Sequence, residues 1–255
     1  MLFSNRKNAV IVKSLFEKRH WVALKNMMLQ AEAPLTFLKN YLKEKGKYPH
    51  VEKIRVRGNS IEIEVRSWHD LLTINEIFFR KDYPVKGDER CIVDFGSNIG
   101  VSALYFRSFA PQATLYLFEP VPHNILQIRE NLSRNQLQEH VRLQEVAIGT
   151  QNGLLSFGIE SSGRYGGFGF RGGETIEVQC REVNVVLESI LRVENRIDLL
   201  KIDTEGNEIQ LLKAIRPTVL GKIDKICVET KEHAVRLPHF RGIKRGEVFI
   251  LTRKK

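Results

Sequence analysis

The residues with the clearest chemical potential lie in the short stretch DFGSNIG at residues 94–100. Its glycines let the backbone turn tightly and let a ligand approach closely, because no Cβ stands in the way. An apolar run before the stretch predicts a buried strand, and helical spacing of apolar residues after it predicts a helix. The helix start offers free N–H groups and a positive dipole end, while Asp94 offers a fixed acceptor. The stretch therefore predicts a turn that binds a nucleotide-like ligand with hydroxyl and amine groups.

Glu119 ends the next predicted strand, residues 114–120, where Rossmann-like sheets place an acid that binds ribose hydroxyls. A dehydrogenase would carry a further glycine between Gly96 and Gly100 to admit a pyrophosphate, and this sequence has none there. A cofactor with a ribose and a charged amino acid tail fits better, with its ammonium group near Asp94. S-adenosylmethionine is such a cofactor. We predict that it is bound by Asp94, Gly96, Asn98, Gly100 and Glu119.

A second group of acids lies in KIDTEGNE, residues 201–208, directly after an apolar run. In a sheet of this kind the fourth strand lies beside the first, so Asp203 would face the reacting end of the cofactor. A carboxylate there could take a proton from a substrate hydroxyl, or hold a divalent metal such as Mg²⁺ that lowers the pKa of that hydroxyl. Glu205 and Glu208 have a second interpretation, because acids are also favoured in the first turn of a helix.

The fifth predicted central strand, residues 222–230, carries Glu229 near its end, and His233 follows four residues later. A Glu and a His near Asp203 could complete a metal site, so the candidate metal ligands are Asp203, Glu229 and His233. The alternative is that His233 is an ordinary surface histidine. The candidate catalytic residues are Asp203, Glu205 and Glu229.

Residues 158–174 contain seven glycines, too many for a regular strand, and long loops of this kind are often lids over a site. The segment also carries Arg164, Tyr165 and Arg171. We predict that these three residues contact the substrate, with an arginine on a phosphate or carboxylate and the aromatic ring on a sugar face. The alternative is a mobile loop without a role.

Strand-like and helix-like segments alternate from Cys91 onward, which predicts an α/β fold with a Rossmann-like, doubly wound, mostly parallel sheet. The third strand is predicted over residues 141–149 and the last over 246–253, with an inserted β-hairpin formed by residues 154–159 and 175–183. Ligands bind past the carboxyl ends of the strands in such a sheet. Four of the five residues at the central strand ends are acidic, which indicates a site, and the five are Asp94, Glu119, Ala147, Asp203 and Glu229.

The first part of the chain, residues 1–85, is predicted to form a cap of helices and a β-hairpin. We found no chemical motif in this part of the sequence. Residues 86–255 form the predicted cofactor-binding domain.

The motifs DFGSNIG, FEPVPHN at residues 118–124 and KIDTEGNE, followed by a strand that ends at Glu229, resemble the FkbM family of S-adenosylmethionine-dependent methyltransferases. The resemblance covers about residues 70–230, with the motifs in the family's order. It implies a class I methyltransferase fold and O-methylation of a hydroxyl, often on a sugar or polyketide. It also implies that the DFGSNIG turn holds the methionine end of the cofactor, that Glu119 binds the ribose and that Ala147 lies near the adenine. Asp203 and Glu205 match the family's lysine–aspartate–glutamate–glycine segment.

The composition, with 42% hydrophobic and 27% charged residues, is that of a globular protein. No run approaches the roughly 20 apolar residues that span a bilayer, and the N-terminus makes a poor signal peptide. We therefore expect a cytoplasmic protein. The three cysteines are far apart and lack the spacing of metal ligands, so we expect buried thiols.

The net charge of +10 is concentrated in the two ends of the chain, because residues 91–190 carry ten acidic and seven basic residues. Basic ends suit an anionic partner, such as a phosphate-bearing substrate, a nucleic acid or an acidic membrane surface, but they also suit solubility alone. The favoured function is methylation of a hydroxyl on a sugar, glycan or other small metabolite. The alternatives are an RNA ribose 2'-O-methyltransferase and a non-catalytic module that retains the fold. The sequence leaves the acceptor, the metal dependence and the oligomeric state open.

Overall fold

The computed structural model describes residues 18–43, 46–160, 166–168 and 173–254 of the 255-residue chain. The chain divides into two compact units, Met1–Asp82 and Tyr83–Lys255. The predicted division into a cap and a cofactor-binding domain at residue 85 stays a prediction. Within the described residues, no helix combines the length and the apolar character needed to cross a bilayer.

The first unit combines helices with a β-hairpin. Its elements are helix α1 (Lys18–Gln30), helix α2 (Pro34–Lys43), strands β1 (His50–Val56) and β2 (Asn59–Val65), helix α3 (Trp68–Ile74) and a π-helical turn (Asn75–Phe79). The two strands pair antiparallel. Because side chains alternate between the faces of a strand, Ile54 and Ile63 point inward together and are fully buried.

The second unit alternates strands and helices along the chain. Its elements are β3 (Cys91–Phe95), α4 (Val101–Phe109), β4 (Thr114–Phe118), α5 (Pro122–Arg134), β5 (Val141–Gln144), β6 (Ala147–Gly149), β7 (Gly153–Glu160), β8 (Gly166–Phe168), β9 (Gly173–Glu182), α6 (Val183–Glu194), β10 (Ile197–Ile202), α7 (Glu208–Ala214), α8 (Pro217–Leu220), β11 (Ile223–Glu229), β12 (Phe240–Arg245) and β13 (Val248–Arg253).

The main sheet of this unit has seven strands in the order β12-β13-β11-β10-β3-β4-β5. Strand β13 runs antiparallel to both of its neighbours, and the other neighbouring strands are parallel. Parallel neighbours joined through helices give the Rossmann-like, class I architecture, so the predicted fold class is confirmed. The carboxyl ends of β3, β4, β10 and β11 therefore meet at one edge of the sheet, where ligands bind in folds of this kind.

The core of the second unit surrounds its central strands. All five residues of β3 are buried, as expected for a central strand of a parallel sheet that is covered on both faces. Phe95 on β3, Leu187 on α6 and Leu200 on β10 belong to one cluster of buried apolar side chains. This packing holds the ends of the central strands at fixed distances from one another.

Two sequence predictions about strands were wrong. The predicted third strand is two strands, because the chain leaves the main sheet after Gln144 and β6 then pairs with β9 in a separate four-stranded sheet of order β6-β9-β7-β8. Ala147 therefore begins β6 instead of ending a central strand. Strand β12 was not predicted, since it buries only Phe240 and lacks the apolar alternation that marks a half-buried strand. The predicted hairpin is present as the antiparallel pair β7 and β9.

Candidate active site

The glycine turn after β3 has a backbone that only small residues tolerate. Gly96 has a φ of +79°, and a Cβ at this position would lie 1.8 Å from the carbonyl oxygen of Asp203. Gly100 has a φ of +85°, and a Cβ there would lie 3.3 Å from the Cα of Ile128 on α5. Glycine is thus required at position 96 both by its φ and by the close approach of the β10 end. The turn brings the ends of β3 and β10 together.

A buried lysine joins the same two strand ends. Lys201 is 2% exposed, and its Nζ lies 2.9 Å from Asp94 Oδ1, 3.1 Å from Asp203 Oδ2 and 2.8 Å from the carbonyl oxygen of Gly96. The contact with the Gly96 carbonyl is a hydrogen bond, and the contacts with the two carboxylates are ion pairs. Burial opposes the charged form, but Asp203 and Asp94 together raise the pKa of Lys201 above its ordinary value. The lysine therefore stays protonated and fixes both carboxylates.

Asp94 lies behind the turn, inside the part of the chain that the structure describes. It is fully buried, and its second carboxylate oxygen accepts a hydrogen bond from the hydroxyl of Ser102. Burial raises the pKa of Asp94, while Lys201 and Ser102 oppose this shift. The sequence predicted direct contact between Asp94 and the cofactor, whereas the structure places it where it positions Lys201 and the start of α4.

Glu119 follows β4 and is held by three donors. Its carboxylate accepts hydrogen bonds from the backbone N–H of Asn98 at 2.9 Å, the backbone N–H of Val121 at 3.1 Å and the side-chain amide of Asn124 at 3.1 Å. Burial nevertheless raises the pKa of Glu119 to about 7, although these hydrogen bonds oppose the shift. An acid with this environment gains from further donors, such as the two hydroxyls of a ribose.

A cavity opens between the ends of β3, β4 and β10. Its lining combines polar residues such as Glu119 and Asn98 with apolar residues such as Val146 and Ile148. It is lined by Gly96, Asn98, Phe118, Glu119, Pro120, Val121, Asn124, Val146, Ala147, Ile148, Phe157, Asp203, Thr204 and Glu205. Of the six predicted cofactor contacts, the structure brings Gly96, Asn98, Glu119 and Ala147 to this first cavity, while Asp94 and Gly100 support it from behind.

Asp203 and Glu229 lie at the ends of the neighbouring strands β10 and β11, and a tyrosine stands between them. The hydroxyl of Tyr83 is 3.1 Å from Asp203 Oδ2 and 3.0 Å from Glu229 Oε2. Its ring lies 5.2 Å from Lys201 Nζ, a cation–π distance. Sequence reasoning missed Tyr83, which is 120 residues from Asp203 and belongs to no motif.

The predicted acids after Asp203 have different environments. Glu205 is exposed, adopts a left-handed φ of 56° and lines the first cavity. Glu208 accepts hydrogen bonds from the backbone N–H groups of Thr204 at 3.1 Å and Gly206 at 2.7 Å, at the start of α7. It therefore lies in the first turn of α7, where acids are favoured, and holds the preceding loop.

A second cavity lies on the other side of Asp203. It is lined by Asp203, Glu205, Gly206, Glu208, Ile209, Gln210, Glu229, Thr230, Lys231, Glu232, His233 and Glu247. Six of these residues are acidic, so the cavity attracts neutral hydroxyl donors or cations more than anions. Asp203 and Glu205 line both cavities.

The predicted metal ligands do not form a metal site. Asp203, Glu229 and His233 line the same cavity, but no group of three His, Cys, Asp or Glu side chains with metal-binding geometry occurs within residues 18–43, 46–160, 166–168 and 173–254. The hydroxyl of Tyr83 stands between Asp203 and Glu229, and Lys201 pairs with Asp203. These side chains do not fit a divalent metal, and we derive no step through one. The predicted substrate contacts Arg164, Tyr165 and Arg171 lie outside the described residues.

The sequence matches the methyltransferase FkbM domain family over residues 94–240, which is more than half of the chain. The chain belongs to the FkbM methyltransferase family. The resemblance in the sequence motifs is thereby confirmed. This FkbM-family chain is a methyltransferase by descent, and the family implies S-adenosylmethionine as the methyl donor.

Two curated relatives of this FkbM-family chain are also methyltransferases by name. Methyltransferase sdnD of Sordaria araneosa is 26% identical over 198 residues, which cover 64% of this chain and 75% of that protein. Methyltransferase 1 of Beauveria bassiana (strain ARSEF 2860) is 28% identical over 209 residues, which cover 70% of this chain and 81% of that protein. The crystal structure of methyltransferase FkbM from Methylobacillus flagellatus KT aligns with a TM-score of 0.43 and 16% identity, over 62% of this chain and 37% of that chain.

The first cavity of this FkbM-family methyltransferase fits the implied cofactor. Gly96 and Asn98 line it at the glycine turn, and Glu119 offers oxygen acceptors for a diol. Val146, Ala147 and Ile148 offer apolar groups for a base. Asp203 lies on the same cavity wall.

Proposed function

We propose that this protein transfers a methyl group from S-adenosylmethionine to a hydroxyl oxygen of a small molecule or glycan. The observation that carries the proposal is the position of Asp203, which lines both cavities. A donor in the first cavity and an acceptor in the second would meet at this side chain. Much of the rate gain in such a transfer comes from holding the two reactants in line, and the remaining task is the removal of one proton.

Each of the six predicted cofactor-binding residues has a proposed role. Gly96 and Asn98 present backbone groups to the methionine end, Glu119 accepts hydrogen bonds from the ribose, and Ala147 packs against the adenine. Asp94 and Gly100 act indirectly by shaping the turn. S-adenosylmethionine supplies an activated methyl group when it is bound.

Asp203 is the proposed general base, because it lines both cavities and its carboxylate is held in place by Lys201 Nζ at 3.1 Å. Glu205 lines both cavities as well and is proposed to bind the acceptor through a hydroxyl. Glu229 is proposed to act with Asp203 through Tyr83.

The charge of the second cavity bears on the acceptor. Six acidic side chains line it, and a phosphate brought there would be repelled by several of them. We therefore propose a neutral or amine-bearing polyhydroxyl acceptor in place of the phosphate-bearing substrate that the basic chain ends suggest. The same acidity opposes the RNA ribose alternative, since nucleic-acid sites are rich in Lys and Arg.

A methyl-transfer screen tests the proposal. The wild-type protein would be incubated with methyl-labelled S-adenosylmethionine and matched sugars that are neutral, amine-bearing or phosphorylated at one position. We expect label on a hydroxyl oxygen of the neutral or amino sugar, located by mass spectrometry, and less turnover of the phosphorylated one. Label that appears on nitrogen or carbon in every product would contradict O-methylation. Preferred turnover of the phosphorylated sugar would contradict the proposed acceptor class alone.

A further inference from the structure

The hydroxyl of Tyr83 is shared by two carboxylates. It lies 3.1 Å from Asp203 Oδ2 and 3.0 Å from Glu229 Oε2, and Tyr83 is only 3% exposed. Both distances are those of hydrogen bonds. A phenol has one hydrogen, so it can donate to only one of the two carboxylates at a time.

The three oxygen-bearing groups have one hydrogen too few to make both contacts hydrogen bonds. When both acids are ionised, one of the two contacts has no hydrogen between its oxygens. When the group gains one proton, a protonated carboxyl donates to the phenol oxygen while the phenol donates to the other carboxylate. Both contacts are then hydrogen bonds. The arrangement is therefore suited to take up a single proton.

The positions of the two carboxylates give the proton a route. Lys201 Nζ lies 3.1 Å from the same Oδ2 of Asp203 that Tyr83 contacts, so the lysine and the phenol meet at this oxygen. Glu229, on the other side of the phenol, lines the second cavity. The chain of contacts therefore leads from Asp203 through Tyr83 and Glu229 into the second cavity.

We propose that Asp203, Tyr83 and Glu229 form a proton relay, an inference that rests on the proposed O-methylation. The acceptor oxygen bonds to the methyl carbon as the S–CH₃ bond breaks with its electron pair left on sulfur, and the O–H proton goes to Asp203. Asp203 then passes a proton to the phenol oxygen, and the phenol gives its own proton to Glu229. Asp203 returns to its ionised form while the proton leaves from Glu229 into the second cavity.

The relay assigns Tyr83 a role that differs from support of the fold. Its ring packs 5.2 Å from the buried ammonium of Lys201, and this contact is kept when phenylalanine replaces tyrosine. Tyr83→Phe therefore removes the transferable proton and leaves the packing. Tyr116→Phe is a matched control, because Tyr116 also donates to a glutamate, Glu194 Oε1 at 2.8 Å, on a part of the unit away from both cavities.

The first test is kinetic. We expect Tyr83→Phe to lower kcat about tenfold, a fraction of the ~10²–10⁴-fold that acid–base catalysis contributes, with little change in KM for the acceptor. The solvent deuterium isotope effect on kcat should depend on deuterium content along a curve in the wild type, since several protons move, and along a straight line in Tyr83→Phe. Tyr116→Phe should behave as the wild type does. An unchanged kcat and an unchanged curve in Tyr83→Phe would overturn the relay, even though O-methylation by the wild type stood.

The second test needs neither cofactor nor acceptor. Infrared difference spectroscopy during a pH titration should show the C=O band of a protonated carboxyl that disappears in Glu229→Gln and shifts in Tyr83→Phe. A band that neither variant affects would overturn the relay independently of activity. Failure of the wild type to methylate any hydroxyl would instead contradict the proposed function, and the relay with it. Unfolding curves that match the wild type would show that the variants are folded.

Discussion

Asp94 and Asp203 lie at the carboxyl ends of neighbouring strands and share one lysine, yet their surroundings differ. Strands β3 and β10 are parallel, and Lys201 Nζ contacts a carboxylate oxygen of each aspartate at about the same distance, 2.9 Å and 3.1 Å. The side chain of Asp94 is fully buried, while that of Asp203 is 23% exposed and lines both cavities. One ammonium group thus supports a structural acid on one side and a candidate catalytic acid on the other.

The difference between the two sites shows how a carboxylate can be held in one orientation and still remain accessible to a substrate. Ser102 and Lys201 engage Asp94 on both of its oxygens. Tyr83 and Lys201 meet on a single oxygen of Asp203, Oδ2, and the side chain stays 23% exposed. An oriented and partly exposed carboxylate beside a bound acceptor is what general base catalysis requires.

The largest effect should follow from removing the exposed acid. Asp203→Asn keeps the size of the side chain but cannot accept a proton, so we expect kcat to fall by about 10²–10⁴-fold. Binding of S-adenosylmethionine, measured by calorimetry, should change little, because Glu119 and the glycine turn are intact.

Asp198→Asn is the matched control for this experiment. Asp198 lies near the other end of the same strand and accepts hydrogen bonds from the backbone N–H groups of Arg90 and Cys91, at 2.7 Å and 2.9 Å. It should affect stability more than turnover. If Asp203→Asn turned over at more than half of the wild-type rate, Asp203 would not be the base.

The shared lysine should dominate stability. Lys201→Met leaves Asp94 buried without its cation, and breaking a buried ion pair on one side costs about 3–5 kcal/mol. Urea unfolding at neutral pH would measure this loss. Lys225→Met is the comparison variant. The side chain of Lys225 is 13% exposed, and its Nζ donates to the carbonyl of Pro84 and lies 3.6 Å from Glu89. Its loss should lower the free energy of unfolding by about 1 kcal/mol. Equal losses of unfolding free energy in the two variants would contradict a special role of Lys201 in stability.

The positions of these groups were predictable from sequence to different degrees. The apolar run, the glycine turn and the acids after the strands predicted the sheet edge and placed Glu119 and Asp203 at it, because parallel strands bring their carboxyl ends together. Lys201 left a signal that could have been used: a lysine within the buried run IDLLKI needs a charged partner nearby. Asp94, earlier in the chain, and Asp203, two residues after the lysine, were candidates for that partner.

Other features were not accessible to local patterns. Tyr83 reaches Glu229 across 146 residues of sequence, and no spacing rule connects them. Residues 141–149 form a continuous apolar-rich pattern, although β5 and β6 belong to different sheets, since pairing partners are chosen by tertiary packing of residues such as Ala147 and Cys180. Exposure also could not be predicted, and exposure is what separates Asp94 from Asp203.

Glu119 is a third acid at this edge of the sheet and differs from Asp94 and Asp203, because the donors of its hydrogen bonds are neutral. They are groups of Asn98, Val121 and Asn124. Its pKa is raised to about 7 by burial, from an ordinary value of 4.5. The folded protein therefore binds more protons than the unfolded chain between these values. The resulting stability is fully present below about pH 4.5 and is lost as the pH rises through about 7, by at most about 3 kcal/mol.

Cofactor binding should strengthen as the pH rises, whereas stability falls. This effect should be smaller than those of the Asp203 and Lys201 substitutions. In the proposed binding mode, ribose hydroxyls donate to the ionised carboxylate of Glu119. The Kd for S-adenosylmethionine should then tighten about tenfold between pH 6 and pH 8, as expected for an acid with a pKa near 7. Calorimetry across this range would measure it, with Glu119→Gln as the variant whose weaker binding should not vary with pH. A pH-independent Kd in the wild type would show that Glu119 is ionised throughout or does not bind the ribose. A pH dependence that survived in Glu119→Gln would assign the titration to another group.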